Sequence, residues 1–317
     1  MQKLYAFCLV LFLLAGCSST PQSNPHFSQL HRARMGHAAV PIGDQIYVLG
    51  GSNDSGFLGD VEVIDTQNGQ VRQLSSTLLP RRYFSAVWDG KESIYILGGE
   101  VQRKDGLHLE RRVEVLNIRT GDVSFAPNLP EPTRMNAAAL SHGEIWVFGG
   151  AVASAEGITQ RDLVAVYNLQ HGSWRRGPAM SVGKDVELAA LNGQLYLVGG
   201  FNGKTGLKTV ERLDTSSQSW HAEPELPQAT SANAVASCDN ALVSFGDYQQ
   251  MDRILFWQPG TAGWHQLPVS MIPARHAAAV QVKNSLYLIG GNTGSKGPYV
   301  GAVQRFDCAE LEAAARL

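Results

Sequence analysis

The feature that most constrains this chain is a motif that recurs six times in register. An alternating apolar strand closed by two small residues appears as IYVLGG ending at Gly51, IYILGG at Gly99, IWVFGG at Gly150, LYLVGG at Gly200, LVSFGD at Asp247 and LYLIGG at Gly291. The intervals are 48, 51, 50, 47 and 44 residues. Repetition at such a period marks an array of supersecondary units, each burying its faces only against its neighbours. The fifth copy departs from the others, with Gly246-Asp247 in place of the doublet.

Each copy carries the same further parts. A strand of small residues precedes the doublet: HAAV (37–40), SAV (85–87), NAAAL (136–140), LAAL (188–191), NAVA (233–236) and HAAAV (276–280). After the doublet comes a loop of variable length and then a third strand, as in VEVID (61–65), VAVYN (164–168) and VQRFD (303–307). A fourth strand follows, as in VRQL (71–74) and WRRG (174–177), across turn pairs such as Asn68-Gly69, Thr120-Gly121 and His171-Gly172. Four short antiparallel strands per copy predict an all-β, six-bladed propeller. Crowding near its axis suits small inner-strand residues such as Ala38, Ala86, Ala138 and Ala278. A glycine-rich composition (33 Gly) with 17% charged residues fits a turn-rich β protein.

The repeats resemble the kelch repeat over residues 27–308. In that family the doublet is followed by an aromatic and, after six residues, a Trp. Tyr167 with Trp174 and Trp257 with Trp264 keep both; Leu213 with Trp220 keeps the Trp; Ile64 with Val71 and Leu116 with Val123 keep only apolar character. The resemblance implies a propeller with four strands per blade.

The sixth copy supplies three strands before the chain runs into the Ala-rich CAELEAAARL, which reads as a short helical tail (309–317). Phe27-Ser28-Gln29-Leu30 matches Val71-Arg72-Gln73-Leu74 in pattern and lies where a fourth strand belongs. Residues 27–30 are therefore expected to complete the last blade, removing an open edge.

Residues 1–16 read as a signal peptide: Lys3, an apolar run from Tyr5 to Leu14 too short to span a bilayer, then Ala15-Gly16 before Cys17. Leu14-Ala15-Gly16-Cys17 resembles a bacterial lipobox. That resemblance implies an acylated Cys17 and a membrane anchor. Ser18, where Asp would retain the protein at the inner membrane, implies an outer-membrane lipoprotein facing the periplasm. Residues 17–26 form a polar, Pro-bearing tether. Of the four cysteines, Cys8 leaves with the signal and Cys17 takes the lipid. Cys238 and Cys308 remain, either as an envelope disulfide or as two thiols.

Strand alternation gathers the fourth-to-first and second-to-third connections on one face, where binding loops usually sit. Counting back fifteen or sixteen residues from each doublet reaches Arg34, Arg82, Arg134, Lys184, Ser231 and Arg275. Five of these six are cations, a pattern expected to ring one mouth of the channel and receive an acidic peptide or acidic carbohydrate. The competing reading has these side chains cap blade edges through backbone carbonyls. Glu187 is the carboxylate inside the inner-strand approach, with Asp185 and Asp247 near it, and is a candidate acid/base group. Bacterial sialic-acid mutarotases are also six-bladed kelch propellers, so a sugar-acid isomerase is the alternative to a binding module. A net charge of −2 gives no reason to invoke nucleic acid. No cofactor or metal is expected: His37 and His276 lack the Tyr and Cys partners of the related galactose-oxidase copper site and read as packing residues. A monomeric propeller is expected.

Overall fold

The structure, a computed structural model, describes residues 24–75, 77–155, 157–295 and 297–316. Six four-stranded antiparallel sheets form the blades of a propeller. In the first blade the order from the axis outward is Ala38–Ile42, Gln45–Leu49, Val61–Asp65 and Val71–Gln73. The innermost strands of all six neighbouring blade pairs touch, closing the ring. The small residues predicted for these strands allow that approach.

The last blade closes as the repeat register predicted. Asn24–Gln29 lies beside Ala302–Asp307, pairing Ser28 with Val303 and Gln29 with Ala302. The strand starts at Asn24, three residues before the predicted start, with an irregular register between Asn24 and Ser28. The tether expected over 17–26 therefore overlaps this strand. Residues 1–23, including the signal peptide and Cys17, lie outside the described residues.

Blades adhere through apolar layers between adjacent sheets. One layer joins Trp146, Phe148 and Val164 of the third blade to Leu195, Leu197 and Leu213 of the fourth; five others join the remaining neighbours. Each buried Leu, Ile or Val contributes about 1.5–3 kcal/mol of transfer free energy. The repeat tryptophans add direction. Trp174 donates its indole N–H to the Pro127 carbonyl, Trp220 to Pro178 and Trp264 to Pro224, in each case reaching toward the preceding blade. The paired aromatics sit ring to ring, Tyr167 to Trp174 at 4.9 Å and Trp257 to Trp264 at 5.7 Å.

On the rim where first strands end, Cys238 closes the strand Ala234–Cys238 and is bonded to Cys308, with Cα atoms 5.5 Å apart. The tail forms the helix Cys308–Ala314, whose first N–H groups are capped by the Asp307 carboxylate. Among the described residues no helix is long and apolar enough to cross a membrane.

Candidate functional site

The opposite rim carries the approaches to the first strands, and there two adjacent sequence positions divide into two jobs. The first position points inward between strands. Arg34, fully buried, meets Glu62 of its own blade's third strand, bonds Asp60 at 3.0 Å and donates to the Gly50 carbonyl at 2.9 Å. Arg81 repeats this with Glu114 and the Gly98 carbonyl. Lys184 holds Glu211 at 2.7 Å. These are braces, and their carboxylates also accept backbone N–H groups, His31 onto Glu62 and Leu79 onto Glu114. Such satisfaction is what a buried ion pair needs.

The remaining blades lack both halves of the brace. Thr133 faces the blade with Ala165 at the carboxylate's place, Thr230 the blade with Leu255, and Ala274 the blade with Gln304. Gln304 replaces the carboxylate with a neutral amide that both accepts from and donates to the Ile272 backbone. Within this chain, then, a cation occupies the first position only where a third-strand Glu answers it.

The second position faces the mouth: Met35, Arg82, Arg134, Asp185, Ser231 and Arg275. Short bridges anchor five of them, Met35 to Ser52, Arg82 to Glu100, Arg134 to Ala151, Asp185 to Phe201 and Arg275 to Asn292. The predicted cationic ring is corrected accordingly. Arg34 and Lys184 are braces, and Arg82, Arg134 and Arg275 belong to the mouth row. The physical reason is a pair of length changes. In the second blade Ser85 pairs with Leu97 where Ala38 pairs with Leu49, a hairpin one residue longer. In the fourth blade the approach is one residue shorter. Counting back from the doublet therefore lands on different rows in different blades.

The residue after the mouth position is left-handed in five blades: Gly36 (φ 60°), Tyr83 (56°), Met135 (53°), Ala232 (56°) and His276 (51°). Four of these are not glycine, a conformation that costs free energy and commonly marks a site. It turns Tyr83, Met135, Ala232 and His276 into a cavity of about 700 Å³ at the mouth. Backbone hydrogen bonds link these turns around the axis, Gly36 to His276, Tyr83 to Gly36, Met135 to Tyr83, Val186 to Met135 and His276 to Ala232. Among the described residues no such bond joins the fourth and fifth blades.

The fourth blade is where the pattern breaks. It has no left-handed residue here, and Val186 follows Asp185 directly. Glu187, whose carbonyl accepts from Val198 N, consequently falls where the other blades place Ala38, Ser85, Ala137, Ala234 and Ala278. Burial pushes the Glu187 carboxyl up to about 8, with the Asp185 charge adding to it. Burial also raises Asp185, to about 6, against the lowering effects of Gln160 and Arg134.

The cations differ in their partners. Glu100 takes hydrogen bonds from both Arg82 and Arg134. Arg82 also stacks on Phe57 and Tyr83, at 4.9 and 4.8 Å. Arg275 is 7% exposed, lies 3.9 Å over the Tyr248 ring and donates to the Tyr248 carbonyl at 3.2 Å. It has no carboxylate partner among the described residues, and its Nε lacks an acceptor. Asp247 is neutralised by Arg253, which also donates to Thr230, and it caps the N–H groups of Gln249 and Gln250. The divergent fifth doublet thus builds a local turn brace rather than a free carboxylate at the mouth. His276 is held down to about 3 by burial, then by Arg275 and Arg82; His37 falls to about 3 by burial and Arg34. Both imidazoles are neutral packing groups at pH 7. Among the described residues no cluster of three or more His, Cys, Asp or Glu is arranged to hold a metal ion.

Comparison with known proteins agrees with this architecture. The family model described as the KLHDC2/KLHL20/DRC7 Kelch-repeats domain matches residues 36–246. Kelch-like protein 35 of Mus musculus is 30% identical over 218 residues, covering 67% of this chain and 36% of that protein. Kelch-like protein 38 of Rattus norvegicus is 26% identical over 210 residues, covering 64% and 36%. Alpha-scruin of Limulus polyphemus is 24% identical over 218 residues, covering 66% and 24%. The chain thus spans about a third or less of the length of these curated relatives. The solved structure of YjhT superimposes with a TM-score of 0.75 at 14% identity, over 87% of this chain and 95% of that one, and speaks to the fold. With six registered repeats, six four-stranded blades and a family match over most of the propeller, the chain belongs to the kelch-repeat family.

Proposed function

We propose that this propeller is a binding module that receives an anionic ligand at its mouth. The observation that carries the reading is Arg275, a nearly buried guanidinium lining the cavity with no carboxylate among the described residues to answer it. A buried unpaired charge is costly, and an incoming anion relieves that cost. Arg134 adds a second donor on the same wall, and Arg82 behind Tyr83 holds Glu100. An acidic peptide or an acidic carbohydrate supplies the complementary group. The test is combined Arg82→Ala, Arg134→Ala and Arg275→Ala in the full chain, followed by capture of envelope ligands. The reading expects their retention to be lost; retention equal to wild type overturns it.

The same proposal places the protein at a bacterial outer membrane, lipid-anchored through Cys17 and facing the periplasm. The supports are the lipobox-like segment and the geometry of the described part. Asn24 pairs with Arg305, toward the rim of Cys308 and opposite the mouth, so an anchor before Asn24 would leave the mouth directed away from the bilayer. Radiolabelled palmitate should enter the wild-type chain and not Cys17→Ser; equal labelling removes the anchor.

A second reading, a sugar-acid isomerase, is favoured by the raised Asp185 and Glu187 carboxyls beside Arg134 in one cavity. Proton NMR of N-acetylneuraminate freshly released as one anomer tests it. An equilibration rate unchanged by added protein sinks this reading and leaves the binding reading standing.

A further inference from the structure

Resting on the binding reading, we infer that the cavity takes a small ligand of single negative charge, seated on Arg275, and that binding requires Glu187 to hold its proton and donate it in a hydrogen bond. Two observations carry this. The first is the charge balance of the throat. Arg82, Arg134 and Arg275 face Glu100 and Asp185, Asp247 is cancelled by Arg253, and Lys204 is solvated at the rim. Among the described residues, and apart from the exposed Lys204, one net cation remains, and it belongs to Arg275. A multiply charged peptide would bring further anions that, among the described residues, only the solvated Lys204 is left to meet, and the ionised Asp185 would repel them.

The second observation is the position of Glu187. Deletion of the left-handed residue sets a carboxyl into the cavity where five blades carry Ala or Ser, beside the gap in the inner ring of backbone bonds. Among the described residues no hydrogen-bond partner stabilises its charge, and the charged group that acts on it most closely is Asp185. The other described ionisable groups around the cavity are Tyr83 from the second blade, Arg134 from the third, Lys204 from the fourth, Asp247 with Arg253 and Tyr248 from the fifth, and Arg275 with neutral His276 from the sixth. With its carboxyl pushed up to about 8, Glu187 is a neutral acid at pH 7 and presents an O–H to a bound hydroxyl or carbonyl oxygen. Ionising it beside a bound carboxylate would place two like charges in one partly desolvated cavity.

Glucuronate serves as the singly charged probe and tri-glutamate as the multiply charged one, titrated calorimetrically into the full chain. Glucuronate affinity should fall about tenfold from pH 7 to pH 9, the drop set by one ionisation near 8. In Glu187→Gln, which keeps the donor and removes the ionisation, affinity should stay flat over that range. Arg275→Gln should lose the probe, and tri-glutamate should bind more weakly than glucuronate. A second readout needs no ligand. The ¹³C carboxyl resonance absent from Glu187→Gln should titrate near pH 8 and move higher when glucuronate is added. Glucuronate binding that is pH-independent in the wild type overturns the inference, as does a carboxyl titrating near 4.5. Arginine-dependent binding of tri-glutamate without glucuronate overturns it while the broader anion-binding reading survives. Failure of both probes overturns the two together.

Discussion

The belt of braces and the mouth row lie one residue apart in sequence and obey opposite rules. At Arg34, Arg81 and Lys184 a cation is buried against its own blade's glutamate and every polar group finds a partner. At Arg134 and Arg275 the cation faces a cavity; among the described residues Arg134 shares one carboxylate and Arg275 has none. The belt fixes the third strand to the chain entering the first, so it contributes to the blade itself. The mouth row leaves charge uncompensated, which stabilises nothing in the free protein but prepares it for an anion. Adjacent Arg81 and Arg82 show that residue type alone does not separate the two jobs. What separates them is whether the neighbouring strand carries an answering carboxylate.

That contrast can be broken experimentally, and the largest effect is expected in the belt. Arg81→Ala strands Glu114 as a buried charge and should cost about 3–5 kcal/mol in chemical denaturation. The double change Arg81→Met with Glu114→Leu should recover most of it, because the apolar pair fills the same space. A loss below about 1 kcal/mol in the single variant would show that the brace is not a structural element.

At the mouth the expected effect has the opposite sign and depends on pH. The folded protein holds a proton on Glu187 up to about 8, while the unfolded chain releases it near the ordinary 4.5. The folded state therefore binds more protons in this window, and this group's contribution to stability declines as pH rises from about 4.5 to about 8. Asp185, raised to about 6, acts in the same direction over its narrower range. Glu187→Gln removes the larger penalty and should stabilise the protein by about 1–3 kcal/mol at pH 8, with little change at pH 4.5; access of channel water keeps the gain below the full shift. Thermal melts at the two pH values measure it, and an equal effect at both would contradict the assignment.

Trp220→Phe sharpens the comparison from a third direction, since it loosens one blade against the next without touching either row. Loss of the 3.1 Å bond to the Pro178 carbonyl and some of the buried ring should cost about 1–2 kcal/mol in the denaturation midpoint, with mouth binding preserved. The smallest expected loss is at Arg275→Gln, which should leave the protein as stable as wild type or somewhat more so, because it removes a buried charge that no described carboxylate answers, even as glucuronate binding disappears. Marked destabilisation there would move Arg275 into the belt.

Much of the fold was legible because the propeller writes its geometry into every repeat. The strand LYLIGG predicts Ser285–Ile289 and the Phe27–Leu30 pattern predicts the closing strand, each from a local signal matched elsewhere in the chain. The mouth was legible only in part. Counting from the doublets reaches Arg82, Arg134 and Arg275, but it reaches Arg34 and Lys184 with them. A one-residue hairpin insertion before Ile94 and a one-residue deletion before Val186 shift the count without altering any strand pattern. The answering glutamates at Glu62, Glu114 and Glu211 are a signal that reading along the chain does not expose, because their partnership runs across strands. The approach signal did mark Glu187. Its place in the alanine row emerged from the pairing register with Val198.

The closing strand has a consequence for how the ring comes into being. Ser28 is made long before its partner Val303, with five blades of sequence between them. Until that partner emerges, five blades can stack while the first blade keeps an uncovered inner-strand flank and the Asn24–Gln29 segment stays unpaired. The last blade therefore forms by a contact of very long sequence separation, the kind that is slow because the intervening chain must be ordered first. Whatever carries this chain through its early life must hold its opening strand in reserve, and the mouth, whose inner turns bridge the first and sixth blades through Gly36 and His276, takes its final shape only when the ring shuts.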